Sequence, residues 1–154
     1  MDYIIAATIV FIYVCFLKKN IFKTNKKVGD LGENRVKLEL SKLNNNYIIQ
    51  NDVRLPGSQI DHLVFYKQNI FVIETKFWKG PITGSLKDQY WTSNNKRMKS
   101  PVQQNRRHCL AVKKAYPLYD IVNIVVFANK HNFPHSENVI HVTTLVQFIK
   151  DYSV

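Results

Sequence analysis

The stretch QIDHLVFYKQNIFVIETKFWKG, residues 59–80, decides the fold of this chain. Two runs rich in β-branched and aromatic residues, about 59–66 and 70–78, flank a polar break, and this pattern predicts a β-hairpin. Three charged residues, Asp61, Glu74 and Lys76, stand inside these runs and not at their ends. Because a charge inside a sheet is costly unless it is paired or bound, their position needs a physical reason.

The register of the hairpin determines whether these charges meet. Side chains alternate between the faces of a strand, so Glu74 and Lys76 share one face. A two-residue loop at 67–68 places Asp61 across from Glu74, and a loop at 68–69 places it across from Lys76. Both loops gather the three charges on one face, whereas a three-residue loop separates them. Leu63, Phe65, Ile70 and Val72 share that face, and Ile60, Val64, Phe71 and Ile73 point the other way.

The charged cluster has a structural and a functional interpretation. Cross-strand ion pairs on a solvated face are common and contribute only about 0.2–1 kcal/mol each. The predicted face is otherwise apolar, so burial favours charges that bind a metal or each other. We therefore favour a functional site.

Two helical residues are candidates for the same site. Glu33 has helical spacing with Val36 and Leu40, although a glutamate in a first turn is also favoured by the helix dipole. Gln104 has helical spacing with His108, although a satisfied interface amide would have the same spacing. Both side chains are predicted to point toward the sheet.

Composition and charge define the class of protein. The chain has 154 residues, 45% of them hydrophobic, which predicts one folded domain and excludes a disordered chain. Its formal charge of +11 favours polyanionic partners such as nucleic acid or an acidic membrane surface. Two cysteines, Cys15 and Cys109, make a disulfide framework improbable.

The remaining pattern predicts an α-β-β-β-α-β order. Helices are expected over 31–43, from Ser100-Pro101 to about Tyr116, and over 144–152. Strands are expected over 47–55, 121–129 and near 139–143, with a short hairpin within the turn-rich segment 81–100. The continuous apolar run at 121–129 is typical of a strand buried on both faces. The fold class is therefore α/β or α+β with a mixed sheet.

The N-terminus is predicted to be a separate element. Residues 3–17 form an uncharged apolar run of about 22 Å as a helix, somewhat short of the ~30 Å hydrocarbon core. We expect residues 1–22 to be a transmembrane anchor, ahead of a cleaved signal peptide or a buried core helix. Its lipid-facing residues are expected to include Tyr3, Ile4, Ile5, Phe11, Ile12 and Leu17.

The orientation of this anchor follows from the lysines that flank it. Five lysines follow the apolar run, and several of them fall in a basic connector over 23–30. The positive-inside bias predicts a single-pass protein of the cell membrane, with domain 31–154 facing the cytoplasm. These lysines are therefore assigned to topology and lipid attraction and not to nucleic-acid binding.

The residue types at the hairpin suit phosphodiester chemistry. Carboxylate oxygens suit Mg²⁺ or Mn²⁺, which can polarise a phosphate and activate a bound water. A neighbouring ammonium can stabilise the charge that develops on the phosphoryl oxygens. A segment without acidic residues, between Asp88 and Asp120, is predicted to bind the nucleic acid backbone, unless it is an ordinary solvated basic face. Its candidate contacts are Lys96, Arg97, Lys99, Arg106 and Arg107, with Trp91 as a stacking group.

The motifs together resemble a known family. The pattern GDLGENRV, YIIQNDVRLPGSQIDHLVF, IFVIETKFWKGPITG and SPVQQNRRHCLAV resembles the nuclease-related domain of the PD-(D/E)xK nuclease superfamily, over about residues 29–130. The combination of QIDH, an ExK motif 13 residues later, an upstream GE and a downstream PxxQN is much more specific than any one motif. Ile60 stands where many members of the superfamily have proline.

The resemblance implies a restriction-endonuclease-like core and roles for particular residues. It implies that Asp61 and Glu74 bind the metal, with the backbone carbonyl of Thr75 as a further ligand. It implies that Lys76 is the catalytic lysine and that Glu33 supports the metal or its water. Gln104 would orient the lysine or the substrate.

Three functions follow as hypotheses. The first is a membrane-anchored, Mg²⁺- or Mn²⁺-dependent nuclease, with DNA expected as the substrate ahead of RNA. The second is an inactive module that tethers nucleic acid to the membrane. The third is a membrane-associated interaction protein whose hairpin charges are only a structural network.

Overall fold

The computed structural model describes residues 2–129, 132–134 and 136–152, without the side chains of 2–10 and 20–26. The helices are α1 (Asp2–Leu40), α2 (Pro101–Ala115) and α3 (Leu145–Tyr152), with a 3-10 turn at Val142–Thr144 before α3. The strands are β1 (Ile48–Leu55), β2 (Ser58–Tyr66), β3 (Asn69–Lys76), β4 (Ile82–Thr83), β5 (Tyr90–Ser93), β6 (Lys96–Lys99), β7 (Asp120–Phe127) and β8 (Val139–His141).

A mixed five-stranded sheet forms the centre of the molecule. Its strand order is β1-β2-β3-β7-β8, antiparallel from β1 to β3 and parallel from β3 to β8. Strand β7 lies inside the sheet and is largely buried, as its apolar sequence predicts. The predicted mixed α/β class is therefore confirmed.

Helices cover both faces of this sheet. Val36 and Leu40 of α1 and Leu145 and Ile149 of α3 pack in one core cluster with Phe71 of β3. On the opposite face, Val112 of α2 packs with Leu63, Ile70 and Val72. The hairpin β2–β3 thus contributes one set of alternating side chains to each core.

The hairpin loop has two residues, as one of the two predicted registers requires. Tyr66 pairs with Asn69 and His62 with Ile73, so the loop is 67–68. Ile60 is an exception to the predicted faces, because it lies in the cluster of Leu63 and not in that of Val64. The simple alternation ends near His62, where the pairing of β2 with β3 also ends.

A smaller antiparallel sheet, β4-β5-β6, replaces the single short hairpin predicted for this segment. Its inner face carries Trp91, which is only 1% exposed and stacks on Phe127 of the main sheet. Gly84 has a φ of +153°, and a Cβ atom there would lie 2.3 Å from Cγ of Trp91. The small sheet therefore depends on a glycine for the indole to reach the core.

Helix α2 is anchored at its start and in its middle. The side chain of Ser100 accepts a hydrogen bond from the backbone N–H of Gln103, as predicted for the N-cap. The buried amide of Asn105 donates to the carbonyl oxygens of Val72 at 2.8 Å and Ile124 at 2.9 Å. These bonds hold α2 against adjacent strands β3 and β7.

Helix α1 runs for 39 residues without the connector predicted over 23–30. The sequence from Asp2 to Leu40 contains no proline, so nothing removes a helical hydrogen bond along it. In the part of the chain whose side chains are described, no helix is long and apolar enough to cross a membrane. The predicted transmembrane anchor is thus not supported, and Tyr3, Ile4 and Ile5 lie outside the described side chains. Phe11, Ile12 and Leu17 are described and exposed.

The C-terminal part of α1 approaches β3 closely at Gly32. A Cβ atom at Gly32 would lie 3.0 Å from Cβ of Phe77 and 3.3 Å from Cγ2 of Thr75. A Cβ atom at Gly29, one turn earlier, would meet nothing within 4 Å. The absence of a side chain at Gly32 therefore sets the distance between helix and strand.

These two glycines give a matched pair of variants. Gly32→Ala should lower the free energy of unfolding by about 1–2 kcal/mol, because overpacking outweighs the better helix propensity of alanine. Gly29→Ala should instead raise it by up to about 1 kcal/mol. Urea denaturation followed by circular dichroism measures both values. Equal effects of the two substitutions would show that α1 does not pack on β3 at Gly32.

Candidate active site

A cavity of about 1020 Å³ opens where the pairing of β2 and β3 ends. Elements from the whole domain line it: α1, β2, β3, β6 and α2. The predicted residues Glu33, Asp61, Glu74, Thr75, Lys76 and Gln104 all lie in its wall. The structure therefore brings together, around one cavity, every side chain that the sequence predicted for the catalytic and metal site.

The carboxylate of Asp61 links β2 to β3 just beyond their last pair. Its Oδ2 accepts a hydrogen bond from the backbone N–H of Thr75 at 2.7 Å. The pairing of β2 with β3 ends at His62 and Ile73, one residue before Asp61 and Glu74. The side chain thus satisfies an N–H group at the point where pairing with β2 stops.

The ammonium of Lys76 links the strand to α2. Its Nζ donates to Oε1 of Glu74 and to Oε1 of Gln104, the latter at 3.2 Å. Glu74 is only 2% exposed, so this ion pair is shielded from solvent. The sequence analysis placed the three charges within an apolar face of the hairpin. In the structure they lie at the end of that apolar face, where they line the cavity.

Burial raises the pKa values of the three carboxyl groups, and repulsion within the cluster adds to the shifts of Glu33 and Glu74. Burial raises the pKa of Glu74 to about 7, although the charge of Lys76 opposes this shift. Burial and then the charge of Asp61 raise the pKa of Glu33, and burial raises that of Asp61. A cation beside these groups would favour their ionised forms.

The donor set suits a hard divalent cation. Carboxylate oxygens that repel one another are the ligands Mg²⁺ and Mn²⁺ prefer. Among the residues described here, no three acidic, histidine or cysteine side chains form a closed metal site. Mg²⁺ commonly uses only one or two carboxylates and keeps several waters, so the number and type of the acidic groups at Asp61 and Glu74 are compatible with it.

His108 is a cavity residue that the sequence did not single out as a functional candidate. Its Nε2 lies 3.4 Å from Oε2 of Glu74, and the ring is largely buried. Burial, followed by the charge of Lys76, lowers its pKa, which favours the neutral imidazole. The sequence feature that could have identified it is its position four residues after Gln104, on the same face of α2. A neutral ring here can donate one hydrogen bond toward Glu74.

The predicted nucleic-acid contacts divide into several groups. Lys96, Lys99 and Arg107 line the same cavity as the carboxylates. Arg97 lies outside it, with its guanidinium 3.8 Å from the ring centroid of Tyr90. Arg106 lines a neighbouring cavity.

The prediction that Trp91 stacks on bases is wrong. Its ring is in the core, and its indole N–H donates to the carbonyl oxygen of Ser85 at 2.8 Å. The alternation of β5 turns Trp91 inward and leaves Tyr90 44% exposed.

The fold and the site together define a domain of the PD-(D/E)xK class: a mixed sheet between helices, with Asp61, Glu74 and Lys76 where two strands diverge. The family model described as the nuclease-related domain matches residues 28–128. This is more than half of the chain, and the chain therefore belongs to the nuclease-related domain family of that superfamily. Membership points to a nuclease-related function and to nucleic acid as a partner.

Comparison with curated proteins gives a relative of similar sequence. The chain is 38% identical, over 95 residues, to an uncharacterized protein of Bacillus anthracis. The match covers 55% of this chain and 45% of that protein, so the chain spans less than half of its length. No solved structure matches the chain.

Proposed function

We propose that this protein hydrolyses phosphodiester bonds of nucleic acid in a reaction that depends on Mg²⁺ or Mn²⁺. The observation that carries the proposal is the convergence of Asp61, Glu74, Lys76 and Gln104 on one cavity whose other wall is basic. A structural ion-pair network does not need a large open cavity beside it, lined by further cations. Phosphate hydrolysis needs both anionic metal ligands and cationic phosphate contacts.

The cation would be held by Asp61 and Glu74, with the carbonyl of Thr75 as a further ligand and Glu33 supporting it or its water. When bound, it would polarise the scissile phosphate and lower the pKa of a coordinated water. Oδ2 of Asp61 is already held by the N–H of Thr75, which fixes the orientation of this carboxylate. Such orientation reduces the reorganisation needed on binding.

The ammonium of Lys76 would stabilise negative charge on the phosphoryl oxygens. Its contacts with Glu74 and Gln104 keep it inside the cavity and directed by both β3 and α2. Gln104 cannot become charged, so it would position Lys76 without neutralising it. Both side chains therefore have distinct roles in one arrangement.

The basic wall would bind the backbone of the substrate. Lys96, Lys99 and Arg107 surround the same cavity as the carboxylates, so bound phosphates would lie beside the cation. We propose DNA as the preferred substrate. The cleavage assay below includes RNA, and faster cleavage of RNA would reverse this preference. Binding without cleavage would instead assign the protein as a tethering module.

Replacement of Lys76 tests the catalytic assignment. Lys76→Ala should reduce Mg²⁺-dependent cleavage of single- and double-stranded DNA by at least about 100-fold, because the charge that faces the phosphate is lost. Lys79→Ala removes an exposed lysine of the same segment and should retain activity. Gel electrophoresis of labelled DNA and RNA measures the rates. Equal cleavage by Lys76→Ala and the parent would refute the assignment.

Metal binding has a readout that does not require activity. Mg²⁺ or Mn²⁺ at concentrations well above Kd should raise the melting temperature of the parent by roughly 5 °C, because the folded state binds the cation. Asp61→Asn should lose this shift, while Asp120→Asn, at the exposed start of β7, should keep it. Differential scanning fluorimetry with and without EDTA measures the shift. A full shift in Asp61→Asn would exclude Asp61 as a ligand.

We also propose that the N-terminal part of α1 contacts membrane lipid, with the remaining domain on the cytoplasmic side. Phe11, Ile12 and Phe16 are each at least 60% exposed, so these neighbouring residues present apolar surface to the surroundings. Such a surface favours lipid over water. The lysines that follow this segment would lie near acidic headgroups.

Cell fractionation tests the lipid contact. The full chain should sediment with membranes, and Phe11→Asp combined with Ile12→Asp should move most of it to the supernatant, since charges are costly in hydrocarbon. Leu118→Asp, at a loop residue that is 81% exposed, is the matched control and should stay with the membranes. Recovery of the parent in the supernatant would contradict this location.

A further inference from the structure

The small sheet β4-β5-β6 has two faces with different chemistry. Trp91 and its cross-strand neighbour Met98 point inward, and Met98 lines the catalytic cavity. Tyr90 pairs with Lys99 across the strands, and both are exposed, as is Arg97. Directly opposite residues share a face, so the outer face carries an aromatic ring beside two cations.

A second cavity of about 620 Å³ adjoins this outer face. Its wall includes Gln89, Tyr90, Lys99, Gln103, Arg106 and Arg107. Lys99 and Arg107 also line the catalytic cavity, so the two cavities share one basic boundary. A chain that crosses this boundary would have successive phosphates near the same two cations.

The chemistry of the second cavity differs from that of the first. Its wall contains three basic side chains and no carboxylate. The guanidinium of Arg97 lies 3.8 Å from the ring centroid of Tyr90, which orients the ring at the cavity edge. Cations beside an oriented aromatic ring are typical of sites that bind a nucleic acid strand by phosphate contact and base stacking.

We propose that this second cavity binds an unpaired segment of nucleic acid, continuous with the strand that enters the catalytic cavity. Tyr90 stacks on a base, and Arg106 with Lys99 contacts the adjoining phosphates. Bases in a duplex are already stacked and paired, so only an unpaired segment presents a base to Tyr90. The inference rests on the proposed function and adds the substrate class: strands with a single-stranded extension, in preference to blunt duplex.

Binding in the absence of metal separates this inference from catalysis. Fluorescence anisotropy in EDTA, with the full chain in detergent, follows a labelled 12-residue oligothymidylate and a blunt hairpin duplex. The oligothymidylate should bind the parent more tightly than the duplex does. Tyr90→Ala and Arg106→Ala should each weaken oligothymidylate binding by about 10-fold, through loss of stacking or of a phosphate contact.

Two matched variants serve as controls. Tyr90→Phe keeps the ring and should bind within about 2-fold of the parent, since stacking does not need the hydroxyl. Lys114→Ala removes an exposed cation from the same helix as Arg106, outside the second cavity, and should also stay within about 2-fold. Melting temperatures of all four variants show whether each is folded.

The outcomes for the two proposals are distinct. Oligothymidylate binding by Tyr90→Ala equal to that of the parent, or a loss as large in Lys114→Ala as in Arg106→Ala, overturns the strand site. Tighter binding of the blunt duplex also overturns it. A parent that binds oligothymidylate in the predicted pattern but cleaves nothing with Mg²⁺ or Mn²⁺ supports the strand site and overturns the proposed hydrolysis.

Discussion

The hydrogen bond from the backbone N–H of Thr75 to the carboxylate of Asp61 is the interaction on which the rest of the site depends. It forms where β2 and β3 stop pairing, so a side chain and not a main chain satisfies the N–H group. The strands can then diverge without leaving a buried donor unpaired. The cavity opens into that divergence, and the residues that follow on β3, Glu74 to Lys76, line it.

The same arrangement concentrates negative charge in a partly buried place. Burial raises the pKa of Glu74 to about 7, and the charges of Asp61 and Glu33 add to this shift. The ammonium of Lys76 opposes it and is itself held by Gln104. Such clustering works against stability and is typical of sites built for a charged ligand. The helices contribute to it because Gly32 lets α1 approach β3 and Asn105 holds α2 on the opposite face.

Particular residues show how much of the fold and of the site could be predicted from the sequence. The two-residue loop, the strand β7 inside the sheet and the helix N-cap at Ser100 follow from local patterns, and all are present. The motif residues were named from their spacing and all line one cavity. The continuous helix through 23–30 was missed because the lysines and the glycine there resemble a linker, although no proline removes a helical hydrogen bond. Trp91 and Tyr90 are adjacent in sequence, and only the pairing of β5 shows which one faces the core.

The sequence by itself determined most strands and helices of the main sheet, limited the hairpin to two registers that both gather the charges, and supplied the charged residues, because these depend on turn length, periodicity and spacing along the chain. It also carried the motifs that identify the family. Only the tertiary structure decided that His108 lies beside Glu74, that Ile60 leaves the predicted face, and that the two cavities share a boundary at Lys99 and Arg107. These features depend on how helices dock on a twisted sheet and where strand pairing ends. Contacts between residues far apart in the chain set both, and local sequence patterns do not encode them.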